Sequence, residues 1–383
     1  MLDSVREPQL RSRLKAIAVI ALAAASIDLM GDCGGPGGNR LDHVLDNVWY
    51  DCSIGSDRDL HGIAGHYDGS VDSKVAVVGA GGMVLESSIA NSVADMDRTA
   101  ACGAWLDIGP NTTATLRGVW KPDNTTVWAA GGDGNTYNGT VLQYDGVNWT
   151  LPGVPSNISY NAIWGSAACD LYFLGVGIST DFPNGAHFDC SVIDTLMVDM
   201  GWSEITDISG RSSDDIWVVM NQPTYNVWHY DGTSWENHWQ TWMDQSLFGV
   251  YAFPNGVSVV AVGANGAVHW FNGTEWRDHT TPEVDADLYD VWGYRHLGPA
   301  TWEGGTIAVG EGGIYWLNPE YPSAGLARST DVALRGVWGR LGIVRTEWGS
   351  GPEEDLDLII YYVGDDGTIL MERDYTVGRS ARR

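Results

Sequence analysis

The chain has 383 residues, a formal net charge of −28 at pH 7 and a sequence pI of ≈ 4.4. This acidity excludes nucleic acid as a partner, because nucleic-acid-binding surfaces need cations to displace the counterions of the phosphates. A hydrophobic content of 44% with 18% charged residues is ordinary for a folded protein, so the acidity indicates solubility or the attraction of basic partners.

Residues 1–27 have the pattern of a secretory signal peptide. An apolar run from Ala16 to Ala25 follows an n-region that carries Arg6, Arg11, Arg13 and Lys15. This run is too short to span a bilayer, which takes about 20 apolar residues. We therefore expect an exported protein without a transmembrane span, located in the periplasm, on the outer membrane or outside the cell.

Residues 28–46 have the composition of a flexible linker, with a Gly-rich stretch at residues 34–38. Cys33 directly before this stretch is a candidate for lipidation, which would anchor the protein to a membrane. Asp32 departs from the small residue that normally precedes a lipidated cysteine. Lipid anchoring and free secretion both stay open at this point.

A six-residue sequence motif close to L-x-G-V-W-G, which we call the phrase, occurs seven times in the rest of the chain. The copies start at Leu60, Leu116, Tyr160, Ile205, Leu247, Leu288 and Leu334. Repeats of about 40–50 residues with strand-like content are typical of propeller blades. Each phrase is taken as the first strand of a blade.

Two more apolar runs follow each phrase and complete the repeat. The second run usually ends in Gly, as in residues 75–79, and this Gly is expected to open a turn with positive φ. The third run often closes on Asp-Gly or Asn-Gly, which predicts a type I′ hairpin turn. Trp149, Trp235 and Trp276 then open a fourth strand. The sequence therefore predicts an all-β fold, a seven-bladed propeller of four-stranded antiparallel blades.

The last repeat lacks a fourth strand, since its third strand, about residues 368–374, is followed only by a basic tail. Residues 47–52 precede the first repeat and have no repeat of their own. We expect this N-terminal strand to complete the last blade and close the ring, which removes an exposed sheet edge. The alternative is an arm packed elsewhere. The propeller then covers residues 47–375 and the C-terminal tail residues 376–383.

Four cysteines remain after Cys33, and an exported protein is expected to oxidise them. Cys169 precedes the second strand of the third blade and Cys190 lies at the end of its third strand, so these two are expected to pair. Cys52 and Cys102 then form a second pair, a covalent clasp across the closure. Four free thiols are the alternative.

No catalytic motif, phosphate loop or metal signature is present in the sequence. His187 and His229 occupy matching positions in two blades and are interpreted as structural. Asp207 and Asp290 occupy the third place of their phrases, where other copies have Gly or Ala, and could face the channel together. Acidic turns such as residues 365–367 leave Ca²⁺ as a possible ligand, although none has the spacing of a defined calcium loop. No cofactor is predicted.

Most of the 19 Trp residues fall at fixed repeat positions, which indicates packing between blades. Four depart from the repeat and are candidates for ligand binding: Trp239, Trp242, Trp302 and Trp348. Two further departures are the long segment 89–103 in the first blade and the acidic insertion 345–356 in the last, which is expected to be a loop at one rim.

The repeat resembles the propeller-type repeats of many exported bacterial proteins of uncharacterised role, and its general plan is similar to kelch-like propellers. Residues 212–217 and 230–235 match this pattern most closely, and the resemblance covers about residues 47–375. It implies a scaffold for binding partners, and it carries no functional residues because the shared motif consists of packing and turn residues.

These observations favour an exported, non-enzymatic propeller that presents a loop face to a protein or cell-surface partner. One alternative is a carbohydrate-binding propeller that uses the four off-repeat Trp residues for a cell-surface glycan. Another is a hydrolase or lyase with a carboxylate site at the central channel, formed by Asp207 and Asp290.

Overall fold

The structure is a computed structural model that describes residues 48–67, 73–89, 102–132, 137–155, 157–177, 184–190, 193–196, 204–254, 256–297, 302–318, 322–347 and 352–376. The expected signal peptide and linker, the candidate lipidation site Cys33 and residues 377–383 of the expected tail lie outside the described residues, whereas Thr376 ends a strand. No helix in the described ranges is long and apolar enough to cross a membrane.

The described residues form seven antiparallel sheets of four strands each, which confirms the predicted seven-bladed propeller. Blade 1 contains β2 Leu60–His66, β3 Lys74–Gly79, β4 Val84–Ser88 and β5 Leu106–Asp107. Blade 2 contains β6 Thr115–Trp120, β7 Val127–Gly132, β8 Gly139–Tyr144 and β9 Trp149–Thr150. Blade 3 contains β10 Ile158–Ala167, β11 Asp170–Gly177, β12 Gly185–Phe188 and β13 Ile193–Leu196. Blade 4 contains β14 Ile205–Ser212, β15 Asp215–Met220, β16 Val227–Tyr230 and β17 Trp235–Asn237.

The remaining blades follow the same plan. Blade 5 contains β18 Leu247–Ala252, β19 Val259–Gly263, β20 Val268–Phe271 and β21 Trp276–Asp278. Blade 6 contains β22 Leu288–Leu297, β23 Trp302–Gly310, β24 Gly313–Leu317 and β25 Ala324–Ser329. Blade 7 contains β26 Leu334–Glu347, β27 Pro352–Gly364, β28 Thr368–Thr376 and, as its outer strand, β1 Val48–Asp51.

The N-terminal strand β1 closes the ring, as predicted. It pairs antiparallel with β28, with Val48 opposite Arg373 and Asp51 opposite Leu370. The pairing continues beyond the strand, because the N–H of Cys52 donates to the carbonyl of Ile369 at 2.8 Å. Blade 7 is therefore built from both ends of the propeller sequence.

The hydrophobic core of the described residues consists of seven clusters, and each cluster fills the wedge between two neighbouring blades. This explains the continuous apolar runs of the second strands, since each such strand is covered on both faces. The inner strands β2, β6, β10, β14, β18, β22 and β26 contact one another in a closed circle around the channel.

The Trp and the final Gly of the repeated phrase fit each other across neighbouring blades. The fifth-position Trp of one blade lies against the sixth-position Gly of the next, in the pairs Trp120–Gly165, Trp164–Gly210, Trp292–Gly339 and Trp338–Gly65. A Cβ atom on these glycines would lie 2.5 to 3.0 Å from the indole ring, so any larger residue would displace the Trp.

Blade 1, the most divergent copy, reverses this arrangement. Its fifth position is Ala64, and the sixth position of blade 2 is the buried Lys121 instead of Gly. The Lys121 ammonium pairs with the carboxylate of Glu86 in blade 1 at 2.8 Å. At this boundary blade 1 therefore contributes the small residue, Ala64, and blade 2 contributes the long side chain, Lys121.

The Gly that ends the second strand recurs in the repeat for a different reason from the one expected. Gly79, Gly263 and Gly364 have φ of −165°, −169° and −168°, which is extended backbone open to any residue. A Cβ atom on Gly263 would lie 2.0 Å from the carbonyl oxygen of Ser246, just before the inner strand of the same blade. The close backbone approach requires glycine, and the predicted positive φ is wrong here.

The Asp-Gly and Asn-Gly turns that follow the third strands of blades 2, 4 and 5 also differ from the predicted type I′ form. Gly146 has φ of +95°, but Asp145 is not among the residues with positive φ. The Asp145 carboxylate instead accepts the N–H groups of Val147 and Asn148 at 2.8 and 2.7 Å. This side chain stabilises a four-residue loop, after which Trp149 begins the outer strand. Asp231 and Asn272 accept the equivalent N–H groups in blades 4 and 5.

Both predicted disulfides are present. Cys169 and Cys190 pair within blade 3 with their Cα atoms 4.7 Å apart. Cys52, directly after the closing strand, pairs with Cys102 of blade 1 with a Cα separation of 5.3 Å. The second bond therefore joins blade 7 to blade 1 at the point where the chain ends meet.

The described arms of the insertion 345–356, residues 345–347 and 352–356, are strand where the sequence suggested a loop. Its two arms extend the hairpin of β26 and β27, with Arg345 opposite Glu354 and Ile343 opposite Leu356. Residues 348–351 at the tip and residues 90–101 of the first-blade segment lie outside the described residues.

Candidate binding channel

The inner strands of all seven blades enclose a central cavity of ≈ 260 Å³. Every inner strand has a register shift between the first and third residues of its phrase. The second residue is the extra, unpaired residue of this β-bulge, a feature that commonly re-aims a side chain near a site. These residues, which we call the bulge ring, all line the cavity: His61, Arg117, Asn161, Thr206, Phe248, Tyr289 and Arg335.

Three consecutive blades contribute cationic or ionisable side chains to the bulge ring, namely Arg335, His61 and Arg117. Arg335 forms a two-pronged ion pair with Asp365, at 2.9 and 3.1 Å. Arg117 donates from Nη1 to the carbonyl of Gly132 at 3.2 Å. Burial and, next, the nearby Arg117 charge lower the pKa of His61 below its ordinary value. This sector is a local basic feature in a strongly acidic protein.

Blades 5 and 6 contribute an aromatic sector. The rings of Phe248 and Tyr289 lie 5.9 Å apart at 36°. The guanidinium of Arg335 lies over the Tyr289 ring at 4.5 Å, in cation–π geometry. The aromatic surface is thus continuous with the basic sector.

The polar members of the ring, Asn161 and Thr206, are turned toward the next blade. The Asn161 amide donates to the carbonyl of Ile205 and to the carboxylate of Glu204, both at 3.0 Å. The Thr206 hydroxyl donates to the carbonyl of Leu247 at 2.9 Å. These two side chains tie inner strands together, so the basic and aromatic sectors are the better candidates for ligand contact.

The predicted pair Asp207 and Asp290 lines the same channel, one residue beyond the bulge ring. The carboxylate of Asp207 accepts its neighbour Ile208 N–H and, across the blade boundary, Val250 N–H, both at 2.8 Å. Asp290 likewise accepts Val291 N–H at 2.7 Å and Val337 N–H at 2.8 Å. Each carboxylate therefore bridges the inner strands of two successive blades.

The pKa values of both carboxyl groups are raised above their ordinary values. Burial in the channel wall and, next, repulsion from Asp290 raise the pKa of Asp207 well above its ordinary value. Burial raises the pKa of Asp290 to about 7, although its two N–H donors act in the opposite direction.

We expect Asp290→Asn to reduce the loss of stability between pH 4 and pH 7. Over this range the unfolded chain releases the Asp290 proton while the folded protein keeps it, so this group makes the folded state less stable as the pH rises. The effect should amount to about 1–2 kcal/mol, since the side chain still reaches the channel. Denaturant unfolding from pH 4 to pH 8 measures it.

Asp231→Asn is the matched control for this prediction. Hydrogen bonds from Thr233 and Ser234 lower the pKa of Asp231 to about 2, so this group is ionised in both states over the same range. Its removal should leave the pH slope unchanged. Equal slopes for Asp290→Asn and the unmodified protein would contradict the prediction.

Among the off-repeat Trp candidates, the described side chains of Trp239 and Trp242 do not line the channel. Trp239 donates from its indole N–H to the carbonyl of Met243 at 2.7 Å and lies 4.9 Å from the Tyr225 ring. Trp242 is 37% exposed and contacts His269 edge to face. Trp302 begins β23, and Trp348 lies outside the described residues.

The two histidines at matching repeat positions have structural partners. His187 pairs with Asp170 at 2.6 Å and His229 with Asp215 at 2.9 Å, at matching places in blades 3 and 4. In the described ranges, no three His, Cys, Asp or Glu side chains are grouped closely enough to hold a metal ion.

Sequence reasoning missed the bulge ring. The signal that identifies it is the second place of the phrase, which carries a different chemistry in nearly every copy while the first, fourth and fifth places are mostly apolar. Packing does not fix the residue type at a position that varies inside an otherwise regular repeat, so ligand binding can select the residue type there.

The comparison with solved structures identifies the same fold. The chain is similar to virginiamycin B lyase from Staphylococcus aureus, with a TM-score of 0.60 and 12% identity over 87% of this chain and 100% of the other. It is also similar to YCF48 from Cyanidioschyzon merolae, with a TM-score of 0.56 and 11% identity over 84% and 98% of the two chains. The WD40 propeller domain of Doa1 has a TM-score of 0.54 and 15% identity over 87% and 98%. No protein-family model and no curated protein matches the sequence.

Proposed function

We propose that this protein is an exported, non-enzymatic binding propeller that recognises a protein or cell-surface partner with its bulge ring. The observation that carries the proposal is the chemistry of the ring. The second position of each phrase lines the channel, and around the circle this position supplies a basic sector, two polar residues and an aromatic sector. Packing does not require such variety, whereas specific recognition does.

The size of the cavity supports recognition of a small part of a partner. A volume of ≈ 260 Å³ is slightly below the roughly 300–1,000 Å³ of pockets for drug-sized ligands. It accommodates a side chain, a chain terminus or a small organic molecule. A propeller of the same fold, YCF48, has been solved with the D1 peptide bound.

Two observations support export. The two disulfides indicate an oxidising compartment, and the N-terminal sequence has the pattern of a signal peptide. The proposal includes the location of the protein, which is the periplasm, the outer membrane through a lipid on Cys33, or the outside of the cell.

The carbohydrate and enzyme alternatives receive less support. A sugar-stacking platform needs a free indole face, and the Tyr225 ring lies 4.9 Å from that of Trp239, which leaves Trp242, at 37% exposure, as the described candidate. A general acid or base needs a carboxylate that can reach a substrate, and both oxygens of Asp207 and Asp290 already accept backbone N–H groups.

Photo-crosslinking in the producing cell tests the proposal. Benzoylphenylalanine in place of Tyr289 should give one discrete adduct, because this side chain lies in the bulge ring. The same amino acid in place of Leu326, 55% exposed on the outer strand of the same blade, is the matched control. No adduct from position 289, or adducts equally strong from position 326, would contradict the proposal.

A further inference from the structure

The two disulfides of the protein lie in different surroundings. Cys52 is 6% exposed and, with the partly buried Cys102, packs in the hydrophobic cluster between blades 7 and 1. Cys169 and Cys190 are both exposed, in turns at the end of blade 3 where its inner strand finishes. A thiol in solution can therefore reach the second bond directly, whereas the fold covers the first.

Cys190 occupies a turn position that is glycine in three other blades. It is the second residue after the third strand, which is the place of Gly146, Gly232 and Gly273 in blades 2, 4 and 5. These glycines have φ of +95°, +88° and +98°, and Cys190 has φ of +73°. This left-handed conformation is unfavourable for a residue with a Cβ atom, so the backbone of Cys190 is strained while the turn keeps its form.

Its partner Cys169 also lies at a recurring contact. Cys169 directly precedes the second strand of blade 3, as Asp214 does in blade 4. A Cβ atom on Gly232 would lie 2.7 Å from the Cβ atom of Asp214, so the two turns touch in blade 4 without a covalent bond. Gly273 lies likewise against Val257 in blade 5, at 2.8 Å. The disulfide of blade 3 thus crosses a contact that the repeat forms elsewhere without cysteine.

We propose that Cys169–Cys190 is a redox switch, an accessible disulfide that an external dithiol opens while Cys52–Cys102 stays closed. A thiolate of the dithiol attacks one sulfur of the pair and forms a mixed disulfide, and the other cysteine leaves as a thiolate that takes up a proton. The second thiol of the dithiol then displaces the first cysteine, so two electrons and two protons pass from the dithiol to the two cysteines. Cys190 can then leave the left-handed conformation, and the turn between β12 and β13 loosens.

The switch goes beyond the proposed binding function and lies at the other end of the blade. The bulge residue of blade 3, Asn161, is near the start of β10, whereas Cys169 follows the end of the same strand. The two proposals are therefore tested independently. If the crosslink from position 289 is absent and Cys169–Cys190 opens selectively, the proposed function fails while the switch stands, and the opposite pair of results has the opposite meaning.

Reduction of the folded protein with dithiothreitol tests the switch, with alkylation of the free thiols at each time point and mass spectrometry of the cysteine peptides. Cys169–Cys190 should open at least about tenfold faster than Cys52–Cys102, because exchange depends on access to the sulfur atoms. In denaturant the two bonds should open at similar rates, since the fold no longer covers either. Equal rates in the folded protein, or a difference that persists in denaturant, would overturn the inference.

Hydrogen exchange tests whether the bond controls the conformation of the turn. Exchange at β12 and β13 should become faster in the selectively reduced protein, because the bond no longer holds Cys190 in the left-handed conformation. Exchange at β16 and β17, the matched strands of blade 4, should stay the same. Unchanged exchange at β12 and β13 would show that the bond opens without a conformational effect, and this result would contradict the switch.

Two double variants separate the bond from the backbone strain. Cys169→Ser with Cys190→Ser removes the bond and keeps a Cβ atom at the left-handed position, so β12 and β13 should exchange as fast as in the reduced protein. Cys169→Asp with Cys190→Gly copies Asp214 and Gly232 of blade 4 and should restore slow exchange without a bond. Fast exchange in both variants would contradict the role of the left-handed residue. Circular dichroism establishes folding, and the reduction of the unmodified protein decides the outcome if a variant does not fold.

Discussion

Replacing Cys52 and Cys102 by serine is expected to lower the free energy of unfolding by about 4 kcal/mol. The bond closes a loop of 50 residues, and loop-closure entropy of the unfolded chain gives a stabilisation of this size. The bond also holds the segment after β1 against blade 1, so its loss should let the closing strand separate from β28 before the rest unfolds. Denaturant unfolding without reductant measures the change.

The second disulfide provides the control. Cys169 and Cys190 close a loop of 21 residues inside blade 3, worth about 3 kcal/mol by the same entropy. Their replacement should leave the pairing of β1 and β28 protected from hydrogen exchange. Faster exchange at β1 in this control, or no change in the Cys52 and Cys102 variant, would contradict the role of the clasp.

Asp357→Ala is expected to cost about 3–5 kcal/mol, because it leaves two buried guanidinium groups without their shared carboxylate. Asp357 is 1% exposed and accepts from Arg340 at 2.9 Å and from Arg373 at 2.8 Å. The three residues lie on β26, β27 and β28, so the cluster joins the three long strands of blade 7. Thermal and denaturant unfolding measure the cost.

An exposed pair of the same chemistry is the control for this variant. Glu275 pairs with Arg277 at 2.8 Å with both side chains more than half exposed, and such pairs contribute about 0–1 kcal/mol. Glu275→Ala should therefore change stability little. Similar losses in the two variants would show that the blade 7 cluster does not depend on burial.

The sequence was sufficient for the architecture because packing and turn residues recur at a fixed period. The phrase beginning at Leu116 or Leu334 identifies each inner strand, and the absence of a fourth strand after residue 374 pointed to closure by the N-terminus. The disulfide pairs followed from blade positions. These features depend on local pattern and chain order, which a sequence contains.

The backbone conformations and the contacts of the site could not be predicted from the sequence, because they depend on distances between strands and blades. The glycine at position 263 looked like a turn residue, and only the approach of the Ser246 carbonyl explains it. Asp207 and Asp290 were identified as channel residues, but their bridges to Val250 and Val337 depend on how closely the inner strands approach. The variable second place of the phrase marks the bulge ring in the sequence, but that Arg117 and Tyr289 are the extra residues of a bulge follows only from the pairing of the strands.

The closing strand also sets an order of assembly during synthesis. β1 is the first strand of the propeller to be made, and its partner β28 is the last, more than 300 residues later. Cys102, by contrast, follows Cys52 after only 50 residues. The disulfide can therefore form while the ring is still open and keep β1 beside blade 1. The last strand then adds to an edge that is already in position, so closure becomes a local docking step instead of a search by two distant chain ends.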